Sequence, residues 1–119
     1  MSAATTDPDC LFCRIVAGSV PADVAGESGH SLAFRDLDPQ APTHVLVVPR
    51  RHVANAGELA EASADELADV VLLARTVAEQ EELDGDYRLV FNTGEGAGQS
   101  VFHAHLHLLG GRSMKWPPG

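Results

Sequence analysis

The stretch GQSVFHAHLHLLGG, Gly98–Gly111, places three of the chain's six histidines at alternate positions: His103, His105 and His107. In an extended strand, residues two apart project from the same face. The alternation therefore predicts a strand over residues 101–109 that presents three imidazoles on one face. The opposite face would pack into the core beneath a long helix through Phe102, Ala104, Leu106 and Leu108.

The composition of the whole chain predicts one small globular domain. The chain has 119 residues, of which 45% are hydrophobic and 21% charged. We expect a single domain over residues 10–119, preceded by a disordered polar tail over residues 1–9. Because no secretion signal and no long apolar run is seen, we expect a cytoplasmic protein that does not enter the membrane. The net charge of −9 argues against nucleic acid as a partner.

Hydrophobic periodicity predicts an α+β fold with a mostly antiparallel sheet of about five strands, one long helix and a short N-terminal helix. The short helix ends at Gly18, and the long helix begins with Ser63 as N-cap and Glu66 three residues later, running to about Leu83. Its apolar stripe is Leu67, Val70, Val71, Ala74, Val77 and Ala78. The predicted strands cover residues 22–27, 31–37, 44–49, 87–92 and 101–109.

The three histidines are compatible with three roles. They could be half-exposed strand residues with no task, ligands of a zinc ion, or groups that perform acid–base or nucleophilic chemistry on phosphorus. The preceding segment TGEGAGQS, residues 93–100, favours the third role, because glycines let backbone N–H groups approach an anion and Gln99 and Ser100 add side-chain donors.

The run HAHLHLL, residues 103–109, resembles the histidine-triad motif. The surrounding GQSVFHAHLHLLGGRSMKWPPG and the segment LAFRDLDPQAPTHVLVVPRRH, residues 32–52, resemble the Hint-type branch of nucleoside phosphoramidate hydrolases. The resemblance implies cleavage of the P–N bond of purine nucleoside 5′-phosphoramidates through a covalent nucleotidyl-histidine. The alternatives are a dinucleoside polyphosphate hydrolase on the same fold and a nucleotide-binding regulatory protein without turnover.

The resemblance also implies roles for individual residues. His105 would attack phosphorus, His107 would hydrogen-bond the phosphate oxygens, and Ser100 would help protonate the leaving amine. Asp36 would accept hydrogen bonds from the two ribose hydroxyls. The purine pocket of a bound nucleoside monophosphate would be formed by Leu11, Phe12, Ile15, Phe34 and Leu37, and its phosphate and ribose side by Asn92, Gly98 and Gln99.

The family forms homodimers, which implies a homodimer here. A small sheet with open edges would gain from that burial. In the resembled branch the C-terminal segment reaches toward the partner's substrate site. We therefore expect Trp116 to lie near the partner's leaving-group side and to influence which amines are accepted.

The pair Cys10 and Cys13 allows three interpretations: a redox pair, half of a zinc site, or two buried thiols without metal. Some bacterial-type triad proteins resemble this sequence in having such a pair. That resemblance implies a zinc site completed by His44 and His103. We expect the zinc to be structural and expect no catalytic metal. The remaining histidines, His30 and His52, match no motif and are expected on the surface.

Overall fold

The computed structural model describes residues 6–119 and has an α+β architecture. Five strands form one antiparallel sheet in the order β1-β2-β3-β5-β4. The predicted fold class is therefore confirmed. The elements in chain order are α1 Leu11–Val16, β1 Val24–Glu27, β2 Ser31–Arg35, β3 Thr43–Pro49, α2 Ala56–Ala62, α3 Ala64–Gln80, β4 Tyr87–Phe91, a 3₁₀ turn Glu95–Ala97 and β5 Leu106–Gly110.

The sheet buries both of its faces, and the two faces carry different partners. Alternate residues of the strands pack against α3 and form the larger core, which includes Ala33, Val45, Val47, Leu106, Leu108, Val70, Leu73, Ala74 and Val77. The other alternate set packs against α1 in a smaller cluster of Phe12, Leu32, Phe34, Leu46 and Val48. Every residue of β3 is buried, as its continuous apolar sequence predicts.

The start of the long helix is confirmed, because the Ser63 hydroxyl accepts a hydrogen bond from the Glu66 backbone N–H at 3.2 Å. The helix ends at Gln80, three residues earlier than predicted. Its core-facing stripe includes Leu73, whereas Val71 is 39% exposed, which corrects that part of the stripe. Helix α2 was not predicted from the sequence. Its signal is the N-cap Asn55, whose Oδ1 accepts the Glu58 N–H at 2.9 Å.

The last strand begins five residues later than predicted. Residues 101–105 bend instead of extending, so Phe102 is half exposed and does not join the core. The bend is held by the Ala104 N–H, which donates to the Val53 carbonyl at 2.8 Å. The strand ends at Gly110, where a Cβ atom would lie 2.6 Å from a methyl group of Leu83.

The predicted polar tail, residues 1–9, lies partly outside the described residues. Its described end forms a turn that leads into α1: the Asp7 carbonyl accepts the Cys10 N–H at 3.0 Å, and the Asp7 carboxylate accepts the Asp9 N–H at 2.9 Å. Across residues 6–119, no helix combines the length and the apolar character needed to cross a membrane.

Candidate functional site

Two cysteines and two histidines converge at the end of the sheet where β3 finishes. Cys10 and Cys13 come from the first turn of α1, His52 from the loop after β3, and His103 from the bend before β5. The His103 Nδ1 atom lies 3.4 Å from Cys10 Sγ, 3.5 Å from Cys13 Sγ and 3.2 Å from His52 Nδ1. Cys13 Sγ and His52 Nδ1 are 3.4 Å apart. We call these four residues the cysteine–histidine cluster.

The spacing of this cluster fits a tetrahedral zinc ion. Bonds of about 2.0–2.1 Å to nitrogen and 2.3 Å to sulfur place two nitrogens about 3.3 Å apart, and a nitrogen and a sulfur about 3.5 Å apart. The orientation of His103 fits as well. Its Nε2–H donates to the Pro49 carbonyl at 2.8 Å, so the lone pair on Nδ1 faces the other three donors. Burial lowers the pKa of His103 to about 4, which keeps the ring in the neutral form that a metal requires.

The fourth member of the cluster is His52, which corrects the prediction of His44. His103 is fixed at the end of β3 through Pro49, whereas His44 lies five residues earlier on that strand. At a rise of about 3.3 Å per residue the two ends are about 16 Å apart, too far for one metal. His52 is partly buried and is not a surface residue, while His30 is exposed as expected. The only sequence signal for His52 as a ligand was its position just after the end of β3.

His105 is held in one tautomer by the backbone. Its Nδ1 atom lies 2.8 Å from the carbonyl oxygen of His103. A carbonyl can only accept, so Nδ1 carries the proton and Nε2 carries the lone pair when the ring is neutral. The edge-on ring of Phe12, with its centroid 5.1 Å away, limits rotation of the imidazole. The ring is therefore prepared to act as a nucleophile through Nε2.

His107 is oriented by a second chain of hydrogen bonds. The Gln40 backbone N–H donates to His44 Nδ1 at 3.0 Å, which places the His44 proton on Nε2. That proton is donated to His107 Nδ1 at 2.9 Å, which in turn places the His107 proton on Nε2. Within residues 6–119 this buried Nε2–H has no hydrogen-bond partner. An unpaired buried donor is costly, so the atom is suited to a ligand acceptor.

The two rings of this chain are kept neutral by their surroundings. Burial, followed by repulsion from His105 and His44, lowers the pKa of His107 to about 4. Burial also lowers the pKa of His44, and this outweighs the opposing attraction of Asp36. His107 therefore offers a neutral N–H donor near pH 7 and not a positive charge.

Asp36, His44 and His107 also lie close enough to suggest a metal site. The hydrogen bonds argue against it, because the Gln40 N–H occupies Nδ1 of His44 and leaves its Nε2 protonated. A protonated nitrogen cannot bind a metal. The Asp36 carboxylate accepts the Asp38 N–H at 2.8 Å through Oδ1, and its Oδ2 lies 3.4 Å from His44 Nε2.

A cleft of about 310 Å³ opens beside these histidines. It is apolar at the end formed by α1 and β2 and polar at the end formed by the histidines. Nine of the residues predicted for nucleotide binding or catalysis line it: Leu11, Phe12, Ile15, Phe34, Asp36, Leu37, Ser100, His105 and His107. Leu37 is fully exposed, so it offers an uncovered apolar contact at the rim.

Three predicted residues do not line the cleft: Asn92, Gly98 and Gln99. The buried Gln99 amide donates to the Ala54 carbonyl at 2.6 Å and to the Val101 carbonyl at 3.0 Å. Its oxygen accepts the Gly94 N–H at 2.9 Å, and its backbone N–H is bonded to Gly94 as well. All donors of Gln99 are therefore engaged, and the residue braces the glycine-rich loop instead of offering hydrogen bonds to a ligand.

Comparison with known proteins agrees with this fold. A family model described as HIT domain matches residues 17–114, and the chain belongs to this family. The chain is 43% identical to a 14 kDa zinc-binding protein of Zea mays over 115 residues, 95% of this chain and 90% of that protein.

Solved structures of the same family superimpose closely on this chain. A HIT family hydrolase from Legionella pneumophila Philadelphia 1 has a TM-score of 0.88 and 49% identity, covering 93% of this chain and all of that one. A histidine triad nucleotide-binding protein from Candida albicans has a TM-score of 0.78 and 30% identity, covering 92% and 83%. The fold is that of HIT family hydrolases.

Proposed function

We propose that this protein hydrolyses purine nucleoside 5′-phosphoramidates, as in the Hint-type branch of the HIT family, through a covalent intermediate on His105. The observation that carries the proposal is a pair of complementary nitrogens. The lone pair of His105 Nε2 and the unpartnered N–H of His107 Nε2 belong to rings that line one cleft, with centroids 5.0 Å apart. A nucleophile beside a hydrogen-bond donor suits attack on a phosphoryl group.

In the first step, His105 Nε2 forms a bond to the α-phosphorus while the P–N bond breaks. The leaving amine takes a proton from the hydroxyl of Ser100, which lines the cleft. In the second step, water attacks the phosphorus, the bond to Nε2 breaks, and a proton from the water restores Ser100. The balance is phosphoramidate plus water to amine plus nucleoside monophosphate. His105 keeps its Nδ1 proton throughout, hydrogen-bonded to the His103 carbonyl.

His107 would stabilise the negative charge that develops on the phosphoryl oxygens. Its Nε2–H would donate to a non-bridging oxygen, and the Gln40–His44 chain would hold that proton in place. Because His107 is already neutral and fixed, little reorganisation is needed when the charge develops. This satisfies the donor that has no partner among residues 6–119.

The remainder of the cleft fits a nucleoside. Asp36 can accept hydrogen bonds from the two ribose hydroxyls, and the apolar end between α1 and β2 suits a flat purine base. The name of the Candida albicans relative, a nucleotide-binding protein, supports a ligand of this class.

The cysteine–histidine cluster would hold a structural zinc ion. Four protein donors leave no open coordination position, so the ion would contribute folding energy and not a reactive water. The name of the Zea mays relative supports zinc as the metal.

The test is hydrolysis of an adenosine 5′-phosphoramidate that carries a fluorogenic amine. We expect equimolar release of the amine and AMP, and an adenylyl adduct on His105 after a rapid quench in alkaline denaturant, located by peptide mass spectrometry. Faster cleavage of diadenosine polyphosphates would favour the polyphosphate hydrolase alternative. Tight AMP binding without any turnover would favour the regulatory one.

A further inference from the structure

The cysteine–histidine cluster and the nucleotide cleft share parts of the same two segments of the chain, α1 and residues 103–105. We propose that the metal site positions the cleft, so that zinc and nucleotide bind with positive coupling. The inference rests on the proposed function for its choice of ligand. It makes Cys10, Cys13 and His52 positioning residues, which act on the substrate through His103 and α1.

The first connection passes through His103. Its side chain belongs to the metal site, while its carbonyl oxygen accepts the His105 Nδ1 proton at 2.8 Å. The next residue, Ala104, is bonded to the carbonyl of Val53, the neighbour of His52. Displacement of the His103 ring would therefore move the acceptor that selects the tautomer of His105.

The second connection passes through α1. A six-residue helix is too short to be stable alone, and this one begins at Cys10, whose sulfur accepts the Cys13 N–H at 3.4 Å. Between these two ligands lies Phe12, whose ring centroid is 5.1 Å from that of His105 and 5.9 Å from that of His103. Leu11 and Ile15 line the apolar end of the cleft. Metal ligation would thus fix one wall of the cleft.

The larger core does not include the metal site, so loss of the metal should disturb the cleft without unfolding the whole protein. The cluster of residues between α3 and the sheet contains no member of α1 and none of the four candidate ligands. We therefore expect the protein without metal to keep the sheet and α3 while α1 and residues 101–105 loosen. A nucleotide that needs both segments ordered would then bind more weakly.

Coupling between two sites is reciprocal, which gives the inference a sharp test. Zinc affinity is measured by competition with a chromophoric chelator, with and without saturating AMP, and AMP affinity is measured with and without zinc. We expect both affinities to rise by the same factor, about 5-fold or more. Zinc affinity that stays unchanged when AMP is bound would overturn the inference.

A matched pair of variants tests whether the coupling passes through α1. Phe12→Leu keeps an apolar side chain and both cysteines but removes the ring beside His105, so it should retain zinc and reduce the coupling factor. Leu72→Ala, on the exposed side of α3, should leave the coupling factor unchanged. Equal coupling in the wild type and Phe12→Leu would contradict transmission through α1.

Two further measurements separate this inference from the proposed function and from simple unfolding. In cobalt-loaded protein, where the metal stays in place, saturating AMP should shift the visible bands of the ion, and unchanged bands would overturn the inference. If AMP does not bind, the proposed function fails, and the His105 ring ¹⁵N signals decide the inference alone. They should differ between zinc-loaded and metal-free protein, and identical signals would contradict it.

Discussion

Two groups of imidazoles, one at the end of β3 and one near its start, are built in opposite ways. In the cysteine–histidine cluster, the Pro49 carbonyl accepts a hydrogen bond from the Nε2–H of His103, so the lone pair on Nδ1 faces the thiols. In the other group, the Gln40 N–H donates to Nδ1 of His44, and the His44 Nε2–H donates to Nδ1 of His107. One backbone acceptor prepares a metal ligand, and one backbone donor prepares a hydrogen-bond donor.

The difference shows that histidine spacing alone does not assign a role. The residues His103, His105 and His107 are equally spaced in the sequence, but His105 is protonated on Nδ1, whereas His103 and His107 are protonated on Nε2 and differ in what their Nδ1 atoms face: thiols for His103 and the His44 N–H for His107. The role of each ring follows from its hydrogen-bond partner, which is a backbone carbonyl for His103 and His105 and a histidine nitrogen for His107. Substitutions that exchange or remove these partners should therefore separate the metal function from the catalytic one.

The largest effect is expected for the ring that stands between the two groups. His105→Ala should reduce turnover of an adenosine phosphoramidate by at least about 10³-fold, because no other lone pair is oriented for attack. AMP binding, measured by calorimetry, should be largely retained. The exposed His30→Ala serves as the matched control and should have wild-type turnover. Comparable turnover in both variants would remove His105 as the nucleophile.

Zinc content should distinguish His52 from His44. His52→Asn should lose the metal and unfold at a lower temperature, whereas His44→Asn should still carry one zinc ion per chain. Metal analysis of protein purified without chelator checks both. Loss of zinc in His44→Asn with retention in His52→Asn would reverse the assignment made from the geometry.

His44 should matter for catalysis without contacting the metal. His44→Phe removes the donor that fixes the His107 proton, so turnover should fall by about 10–100-fold, the cost of one misdirected buried hydrogen bond. The loss should be in kcat more than in KM, because the proton acts on charge that develops during the reaction. A variant that changes KM alone would show that the chain serves binding only.

Acid should destabilise the protein before the carboxylates protonate. Burial lowers the pKa of His103 and His107 to about 4, below the usual value of about 6.5. Between these values the unfolded chain binds more protons, so the free energy of unfolding should fall as pH drops from about 7.5 towards 4, and these two rings should add no slope above about 7.5. Urea denaturation of metal-free protein at several pH values checks this. His107→Gln should flatten the dependence of the unfolding free energy on pH. An equal slope in the variant and the wild type would contradict the contribution of His107.

The smallest effect is expected at the C-terminus. Trp116 is 82% exposed on the single chain, and the tail is attached to β4 where Arg88 donates to the Lys115 carbonyl at 2.9 Å. We keep the prediction that the chain is a homodimer in which Trp116 lies near the partner's leaving group. Removal of residues 113–119 should alter the relative rates for a series of amines a few-fold more than it alters AMP affinity. An unchanged order of rates would exclude the tail from selection.

Local signals explain what could be predicted from the sequence. The N-cap Ser63 makes its contact within three residues, and the continuous apolar run of β3 and the three-to-four spacing on α3 are patterns within one element that show which faces are buried. The start of β5 could not be predicted, because the alternation of HAHLH continues through the bend and the interactions that create the bend come from Pro49 and Val53. The prediction of His44 instead of His52 was wrong for the same reason, since the fourth member of the cluster depends on which end of β3 meets α1.

The ring tautomers of the histidines test the central claim most directly. A long-range ¹H–¹⁵N spectrum of zinc-loaded protein, with the rings assigned by single substitutions, reports which nitrogen of each ring is protonated. We expect His44, His103 and His107 to carry the proton on Nε2 and His105 to carry it on Nδ1. A His105 ring protonated on Nε2, or a His44 ring protonated on Nδ1, would contradict the account.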